Sequence, residues 1–230
     1  MQNHDGVLLV DKPLSWTSFD VVAKLRGALR HDTGVKKIKV GHGGTLDPLA
    51  TGLLIVLVGQ YCKRAQDFSG LDKRYITTMK LGYVSETGDE EGKKRHQSDQ
   101  VPTYNDVLAV ARSFIGSYDQ VPPAFSAKKV GGKRAYSLAR RGEPVAIEPK
   151  RVTISQLEVT DYTYPYLTID VTVSSGTYIR SLAEDIGAAL ECGAYVTQLR
   201  RTNIGSYCVE DARAVEVIAR QPTQFLLTDL

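Results

Sequence analysis

Cysteine is scarce in this chain. The three present, Cys62, Cys192 and Cys208, are too few and too scattered for a disulfide framework. The fold must therefore rest on a packed core and not on cross-links. Histidine is equally thin. His4, His31, His42 and His96 stand apart from one another and from the cysteines, and no CxxC or HExxH spacing occurs, so the sequence offers no metal-ligand set. Long apolar runs are missing too. The longest, Leu53–Val58, is about a third of what a membrane-spanning helix needs. No basic-then-apolar leader precedes the first strand-like segment, so export is not expected and the cytoplasm is the natural setting. A GxSxG serine elbow and a GxxxxGK[ST] phosphate loop are both absent, and Gly41-His42-Gly43-Gly44 does not match the dinucleotide fingerprint. Nothing demands a cofactor.

What is present is an ordinary globular composition. The chain has 230 residues, 42% hydrophobic and 24% charged, enough to bury a proper core as one large domain or two small ones. The net charge of +3 comes from 29 Lys and Arg against 26 Asp and Glu. Its distribution says more than its total. Lys24–Lys39 holds six basic residues and one acid, and Lys128–Arg151 holds eight basic residues and two acids, so the remainder is net acidic. Two such stretches suit a polyanion such as nucleic acid, and they suit equally two solvated faces.

Periodicity sketches the elements. Gly6–Val10 reads as a short buried strand. A helix follows, capped by Thr17 or Ser18 with Asp20 in its first turn, and with Phe19, Val22, Leu25 and Leu29 at helical spacing. His31–Lys39 reads as a basic loop and Lys39–Gly52 as a shaped, glycine-rich one. Leu53–Val58 is either an apolar strand or the end of a buried helix. Tyr75–Leu81 alternates like a strand, and Glu86–Gln100 is a polar hairpin or loop. Thr103 caps a helix with Val107, Val110, Ala111 and Phe114 on its apolar face, ended by Gly116. Ala135–Arg141 suggests a short basic helix ended by Gly142. Arg151–Val159 and Leu167–Val173 are strands, Tyr178–Leu190 is a helix, Val196–Ile204 is a strand, and Val209–Arg220 could form a last helix. There is no internal repeat, low-complexity linker or evident domain boundary. Helices mixed with hairpin-connected strands favour an α+β fold on an antiparallel or mixed sheet.

One segment stands out, Gly41-His42-Gly43-Gly44-Thr45-Leu46-Asp47-Pro48-Leu49-Ala50-Thr51-Gly52. Its glycines permit close backbone approach or positive φ. Pro48 removes an amide donor and drives Asp47 towards an extended conformation. A lone carboxylate on a stiff loop can be aimed at one ligand atom, as a nucleophile or base must be. The competing reading is an Asp-Pro turn with no chemistry.

With that segment the chain resembles the TruB family of tRNA pseudouridine synthases, bacterial type. The resemblance starts at Gly6-Val7-Leu8-Leu9-Val10-Asp11-Lys12-Pro13 and continues through the Gly41–Gly52 loop and Asp72-Lys73-Arg74-Tyr75. It carries on through Gln120-Val121-Pro122-Pro123-Ala124-Phe125-Ser126-Ala127 and Gly132-Lys133-Arg134-Ala135-Tyr136. It ends with Ser175-Gly176-Thr177-Tyr178-Ile179-Arg180-Ser181-Leu182 and Leu199-Arg200-Arg201-Thr202. These ordered motifs span about Gly6 to Gly205, nearly the whole chain, and are specific together though weak singly.

The resemblance implies the pseudouridine synthase fold, a central mixed and mostly antiparallel sheet flanked by helices and RNA-binding loops, here as a single catalytic domain over residues 1–230. It implies that uridine 55 in the T-loop of tRNA becomes pseudouridine, by detaching uracil from ribose, turning it and rejoining it through carbon 5. By the same resemblance Asp47 is the catalytic aspartate, adding to C1′ of the sugar or taking the C2′ proton. Arg180 pairs with it and keeps it ionised. Tyr75 stacks on the target base, Tyr178 and Leu199 line the uracil pocket, His42 holds the flipped nucleotide or fills its place, and Lys63 lies near the RNA. Lys128, Lys129, Lys133, Arg134, Arg140 and Arg141 fall in a segment that closes over the T-arm, expected to order on RNA binding. No cofactor or metal is implied. The partner is tRNA, with no membrane and no obligatory protein partner, and the protein acts as a monomer.

The chain departs from the family in three places. Bacterial members usually carry a C-terminal RNA-binding domain of the PUA type, whereas only Ser206–Leu230 follow the last strand motif here, too few for such a domain. Gly43 stands where many relatives have threonine, and Phe125 where tyrosine is commoner. The competing functions are an RNA-guided archaeal or eukaryotic relative, a tRNA-binding folding chaperone with dispensable catalysis, and an RNA-binding module without chemistry.

Overall fold

The structure, a computed structural model, describes residues 4–125, 129–130, 133–134, 141 and 147–228. In chain order the elements begin with β1 (Gly6–Lys12), α1 (Ser18–Thr33), β2 (Val40–His42) and β3 (Ala50–Val58). A 3-10 turn (Gly59–Arg64), α2 (Ala65–Ser69), β4 (Lys73–Leu81), β5 (Tyr83–Ser85) and β6 (Lys94–His96) follow. Next come α3 (Tyr104–Ser113), β7 (Gly116–Gln120), β8 (Lys129–Val130), β9 (Lys133–Arg134), β10 (Lys150–Thr163) and β11 (Tyr166–Val173). The described chain ends with α4 (Ile179–Ala189), β12 (Ala194–Ile204), β13 (Tyr207–Cys208), β14 (Arg213–Ala214) and α5 (Val215–Arg220). Ten of these strands belong to one mixed sheet, the α+β class expected. The chain divides into two compact units, Met1–Tyr75 with Leu199–Leu230, and Ile76–Gln198.

In the first unit the strands run in the order β14, β1, β3, β12, with β2 paired to β3 and β13 to β12. β1 and β3 are antiparallel, Val10 facing Leu54. Both are almost wholly apolar because both faces are covered. Leu8, Val10, Leu54, Val56 and Val58 pack with Val21, Leu25 and Leu29 of α1 and with Val215 and Ile218 of α5. Val7, Leu9, Leu53, Ile55 and Leu57 pack on the other side with Phe68, Ile204 and Val209. That double cover resolves the ambiguous apolar run 53–58 as strand. α1 starts at a capping box, the Thr17 hydroxyl accepting the Asp20 amide while the Asp20 carboxylate accepts the Thr17 amide, and it ends at Gly34 in the left-handed conformation.

Three expectations change here. α1 continues to Thr33, so residues 31–33 are helix and not loop. Phe19 is 64% exposed, and Val21 takes the core position expected of it. The stretch 209–220 is not one helix but a 3-10 turn (Val209–Asp211), β14 and then α5. β14 pairs in parallel with β1, Val10 facing Arg213, and that pairing interrupts the helical pattern.

In the second unit the order is β4, β11, β10, β7. Alternation is clean: Leu167, Ile169, Val171 and Val173 are buried on β11, and Met79 and Leu81 on β4. α3 has a capping box at Thr103 and packs on β10 through Val107 and Ala111, ending at Phe114 before Gly116 opens β7. β5 and β6 form a hairpin, Tyr83 facing His96, that begins before the polar excursion expected at Glu86–Gln100 and overlaps it. β8 and β9 pair through Lys129 and Arg134. The basic helix expected at 135–140, with Lys128 and Arg140, lies outside the described residues. Arg141 is exposed. Among the described residues no helix is long and apolar enough to cross a membrane.

Candidate active site

The glycine-rich loop is an ordered extension of β2 and β3. The Gly43 amide donates to the Ile55 carbonyl at 2.9 Å, prolonging the antiparallel β2–β3 pairing. A Cβ on Gly43 would come within 2.6 Å of the Phe68 side chain, so the residue at this position is set by packing. The Asp47 carbonyl accepts the Ala50 amide at 3.1 Å, closing a turn with Pro48 second. Asp47-Pro48 does start a turn, and that turn stiffens the backbone of a half-buried carboxylate.

Three side chains clamp the loop from behind. Ser18, at the start of α1, donates from Oγ to the Leu46 carbonyl at 3.1 Å and accepts the Leu46 amide at 2.8 Å. Arg201 on β12 is 1% exposed. Its guanidinium donates to the carbonyls of Leu53 at 2.7 Å, Thr45 at 3.2 Å and Gly44 at 3.1 Å. Lys12, fully buried, donates from Nζ to the carbonyls of Pro13, Trp16 and Pro48 at 2.9, 2.6 and 3.4 Å. Burial pushes Lys12 down to about 8. The attraction of Asp47 opposes that shift, the nearby Arg201 adds to it and Asp20 opposes it. His42 Nδ1 accepts the Gly44 amide at 3.4 Å, and burial together with Arg201 holds its pKa below the usual imidazole value.

β12 brings Leu199 to the same place. It runs parallel to β3 with Leu199 facing Ala50, the residue that closes the Asp47 turn, and with Arg201 facing Gly52. A Cβ on Gly52 would lie 2.2 Å from the Arg201 carbonyl oxygen, and its φ of +100° is itself a glycine conformation. This unit thus gathers Asp47, His42 and Leu199 around one turn. Tyr75 is a buried residue of β4 in the same unit. Lys63 is exposed on the 3-10 turn, whose Cys62 lies beside Gly41.

Arg180 and Tyr178 sit in the second unit, at the start of α4. Arg180 is 6% exposed. It donates to the carbonyls of Thr87 at 2.9 Å and Phe125 at 3.0 Å and pairs with the buried Asp89 at 3.4 Å. It is not a surface helix cation. Tyr178, half-buried, has no side-chain cap to offer. The Gln120 amide grips its backbone instead: Oε1 accepts the Tyr178 N–H at 2.8 Å and Nε2 donates to its carbonyl at 3.1 Å. Nε2 also donates to the Tyr118 hydroxyl at 2.6 Å, which donates to Asp185 at 3.3 Å. Ser181 ties α4 to the Val121 carbonyl at 2.8 Å.

Lys12, Ser18, Asp89, Gln120 and Arg201 are the residues that motif reading alone leaves without a role. Their signal was present, since Lys12, Gln120 and Arg201 fall inside the quoted motifs. What they do depends on burial, which no spacing reveals. Among the described residues no group of three or more His, Cys, Asp or Glu could hold a metal ion.

Comparison with known proteins places the chain in a family. Residues 30–179 match the TruB family pseudouridylate synthase (N terminal domain), and residues 180–220 match the tRNA pseudouridylate synthase B C-terminal domain. A protein of Phocaeicola vulgatus named tRNA pseudouridine synthase B is 47% identical over 212 residues, 91% of this chain and 90% of its own. One of the same name from Bacteroides fragilis is 43% identical over 227 residues, 95% of this chain and 96% of its own. Among solved structures, a chain of a Cbf5-Nop10-Gar1 complex superposes with TM-score 0.70 and 28% identity over 93% of this chain and 53% of that one. A chain of an H/ACA RNP bound to a substrate RNA containing 2'-deoxyuridine gives TM-score 0.69 and 26% identity over 94% and 53%. This chain thus spans about half the length of those two solved chains. It belongs to the TruB family of pseudouridylate synthases.

Proposed function

We propose that this protein converts uridine 55, in the T-loop of tRNA, to pseudouridine. The observation that carries the reading is Asp47 on a turn held rigid by Arg201, Lys12 and Ser18, in a chain whose curated relatives are named tRNA pseudouridine synthase B. The reaction is an isomerisation: the N1–C1′ bond breaks, the uracil turns, a C5–C1′ bond forms, and a proton leaves carbon 5 while N1 regains one. Nothing is oxidised or reduced. Asp47 acts on the sugar, by adding to C1′ or by removing the C2′ proton, and both routes need an ionised carboxylate in a fixed direction.

The supporting roles are assigned by the resemblance. Arg180 is the arginine of the catalytic set. Tyr75 stacks on the flipped base, Tyr178 and Leu199 line its pocket, His42 takes the vacated space, and Lys63 with Lys129, Lys133, Arg134 and Arg141 holds phosphates. The protein works as a monomer in the cytoplasm, where tRNA is matured.

The test is to incubate the protein with an unmodified tRNA transcript and map pseudouridine, beside Asp47→Ala. Conversion at the T-loop uridine is expected from the wild type and none from the variant, with RNA binding largely kept. Equal product from both proteins would remove Asp47 from its role. Normal binding without product by the wild type would favour a chaperone.

A further inference from the structure

The first basic stretch of the sequence takes no part in the site described above. The structure gives it a definite form. α1 presents Lys24 and Arg30 to solvent, about 9 Å apart along the helix axis at its usual rise. Past the left-handed Gly34, the chain turns and exposes Lys36, Lys37 and Lys39. This turn is anchored. Ile38, between the last two lysines, is packed into the core with Leu29 and Val58, and the Lys39 carbonyl accepts the Gly59 amide at 2.9 Å. Lys37 and Lys39 therefore flank a fixed point and are held outward.

Two acids of α1, beside this surface, are engaged in hydrogen bonds. Asp32 accepts both the Thr223 hydroxyl at 2.6 Å and its amide at 3.2 Å. Asp20 is committed to the Thr17 capping box. Five like charges thus sit within 16 residues on a rigid frame, none in a salt bridge among the described residues. Arg26 adds a sixth, its guanidinium 5.9 Å from the centre of the exposed Phe19 ring, an aromatic face beside a cation. Such a surface repels itself, and a polyanion laid against it relieves that repulsion. Cations with an open aromatic ring among them match a nucleic-acid backbone with an unstacked base.

We propose that the outer face of α1 and the turn at residues 34–39 form a second RNA-docking surface, which binds phosphates of the substrate RNA. It rests on the tRNA reading above for the identity of that RNA. The surface leads directly into β2 and the Asp47 loop, so phosphates held at Lys37 and Lys39 would set the register of the RNA at the loop's entrance. It contributes binding and orientation and takes no part in bond breaking.

The test is the triple variant Lys36→Gln, Lys37→Gln and Lys39→Gln, with Ile38 retained. Affinity for an unmodified tRNA transcript is measured by fluorescence anisotropy between about 50 and 200 mM salt. Each lost phosphate contact lowers the log–log salt slope by about 0.7–0.9, so the variant's slope should be shallower by about 2–3. Over that salt range the variant should then lose at least about 20-fold less affinity than the wild type. Single-turnover conversion at saturating transcript should be unchanged, and the triple Lys→Arg variant should bind like the wild type. A thermal melt of each variant separates lost charge from lost fold. Wild-type affinity and slope in the Gln variant would overturn the proposal. So would a Gln variant that binds normally but turns over slowly. A wild type that binds the transcript without making pseudouridine would instead sink the proposed reaction and leave this surface standing.

Discussion

Arg201→Met removes the buried cation that holds the Asp47 loop while nearly preserving side-chain length. The guanidinium donates to three carbonyls, those of Leu53, Thr45 and Gly44. A hydrogen bond from a charged donor contributes about 1.5–3 kcal/mol, and each orphaned buried carbonyl costs about 1–3 kcal/mol. Relief from burying the charge offsets part of that and leaves a net cost of about 3–5 kcal/mol. A chain of 230 residues unfolds with an entropy of about 0.5 kcal/mol/K, so the melting temperature should fall by about 6–10 °C. Freed Gly44 and Thr45 carbonyls also loosen the loop, and misplacement of the carboxylate by about 1 Å costs about a hundredfold in single-turnover rate. The neighbour supplies the control. Arg200, on the opposite face of β12, makes a bidentate pair with Asp11 at 2.8 and 3.1 Å, but both side chains are over a third exposed. Arg200→Met should cost about 1 kcal/mol or less. Melting curves and single-turnover kinetics on the two variants decide the matter. If Arg201→Met melts within about 2 °C of the wild type, or is no worse than Arg200→Met, the clamp is not what holds the loop.

Two further outcomes test the second unit. Glu184 has its pKa raised to about 6 by burial, with Asp185 and Asp89 adding and Arg180 opposing. Its folded pKa lies above the unfolded value of 4.5, so its contribution to stability is full below about pH 4.5 and is lost as pH rises through about 6. Glu184→Gln should therefore be about 1–2 kcal/mol more stable than the wild type at pH 7 and no different near pH 4, as read from urea denaturation. A variant weaker at pH 7 would mean that the charged Glu184 stabilises the fold. Gln120→Ala orphans the amide of Tyr178 and removes one of the two donors to its carbonyl, which keeps the Leu182 amide, and should cost about 1–3 kcal/mol. Because α4 carries Arg180, that variant should also lose turnover at saturating RNA, and Gln120→Asn, one methylene short of the same grip, should rescue little. Unchanged stability and rate would show that Gln120 does not hold α4.

Local patterns carried most of the elements. Thr17 with Asp20 and Thr103 with Asp106 are three apart, and both pairs form the capping boxes that this spacing allows. Leu167 to Val173 alternates on paper and in the sheet. The errors have one cause. Phe19 is apolar and lies three residues from Val22 on α1, but the turn of the helix against β1 and β3 buries Val21 instead. Residues 209–220 have helical character, and parallel pairing with β1 takes Arg213 and Ala214 out of it. In each case a partner distant in the chain overrode local preference.

The candidate site divides the same way. Asp47 could be singled out from its neighbours, since glycines and Pro48 act on the backbone within a few residues and need no partner to do so. The same holds for the charge clusters, which are counts along the chain. The tertiary structure alone decided what stands behind Asp47. Arg201 and Lys12 look like any other surface cation in a sequence, and Gln120 like any polar residue before a proline pair. They become a clamp only when β12 pairs with β3 and Lys12 enters the core, because a buried charge must find acceptors, and the nearest are the carbonyls of the loop. The sequence by itself determined which carboxylate is stiffly held and where the cations lie. Only the fold decided which cations are buried against that carboxylate and which stay in water, free to meet RNA.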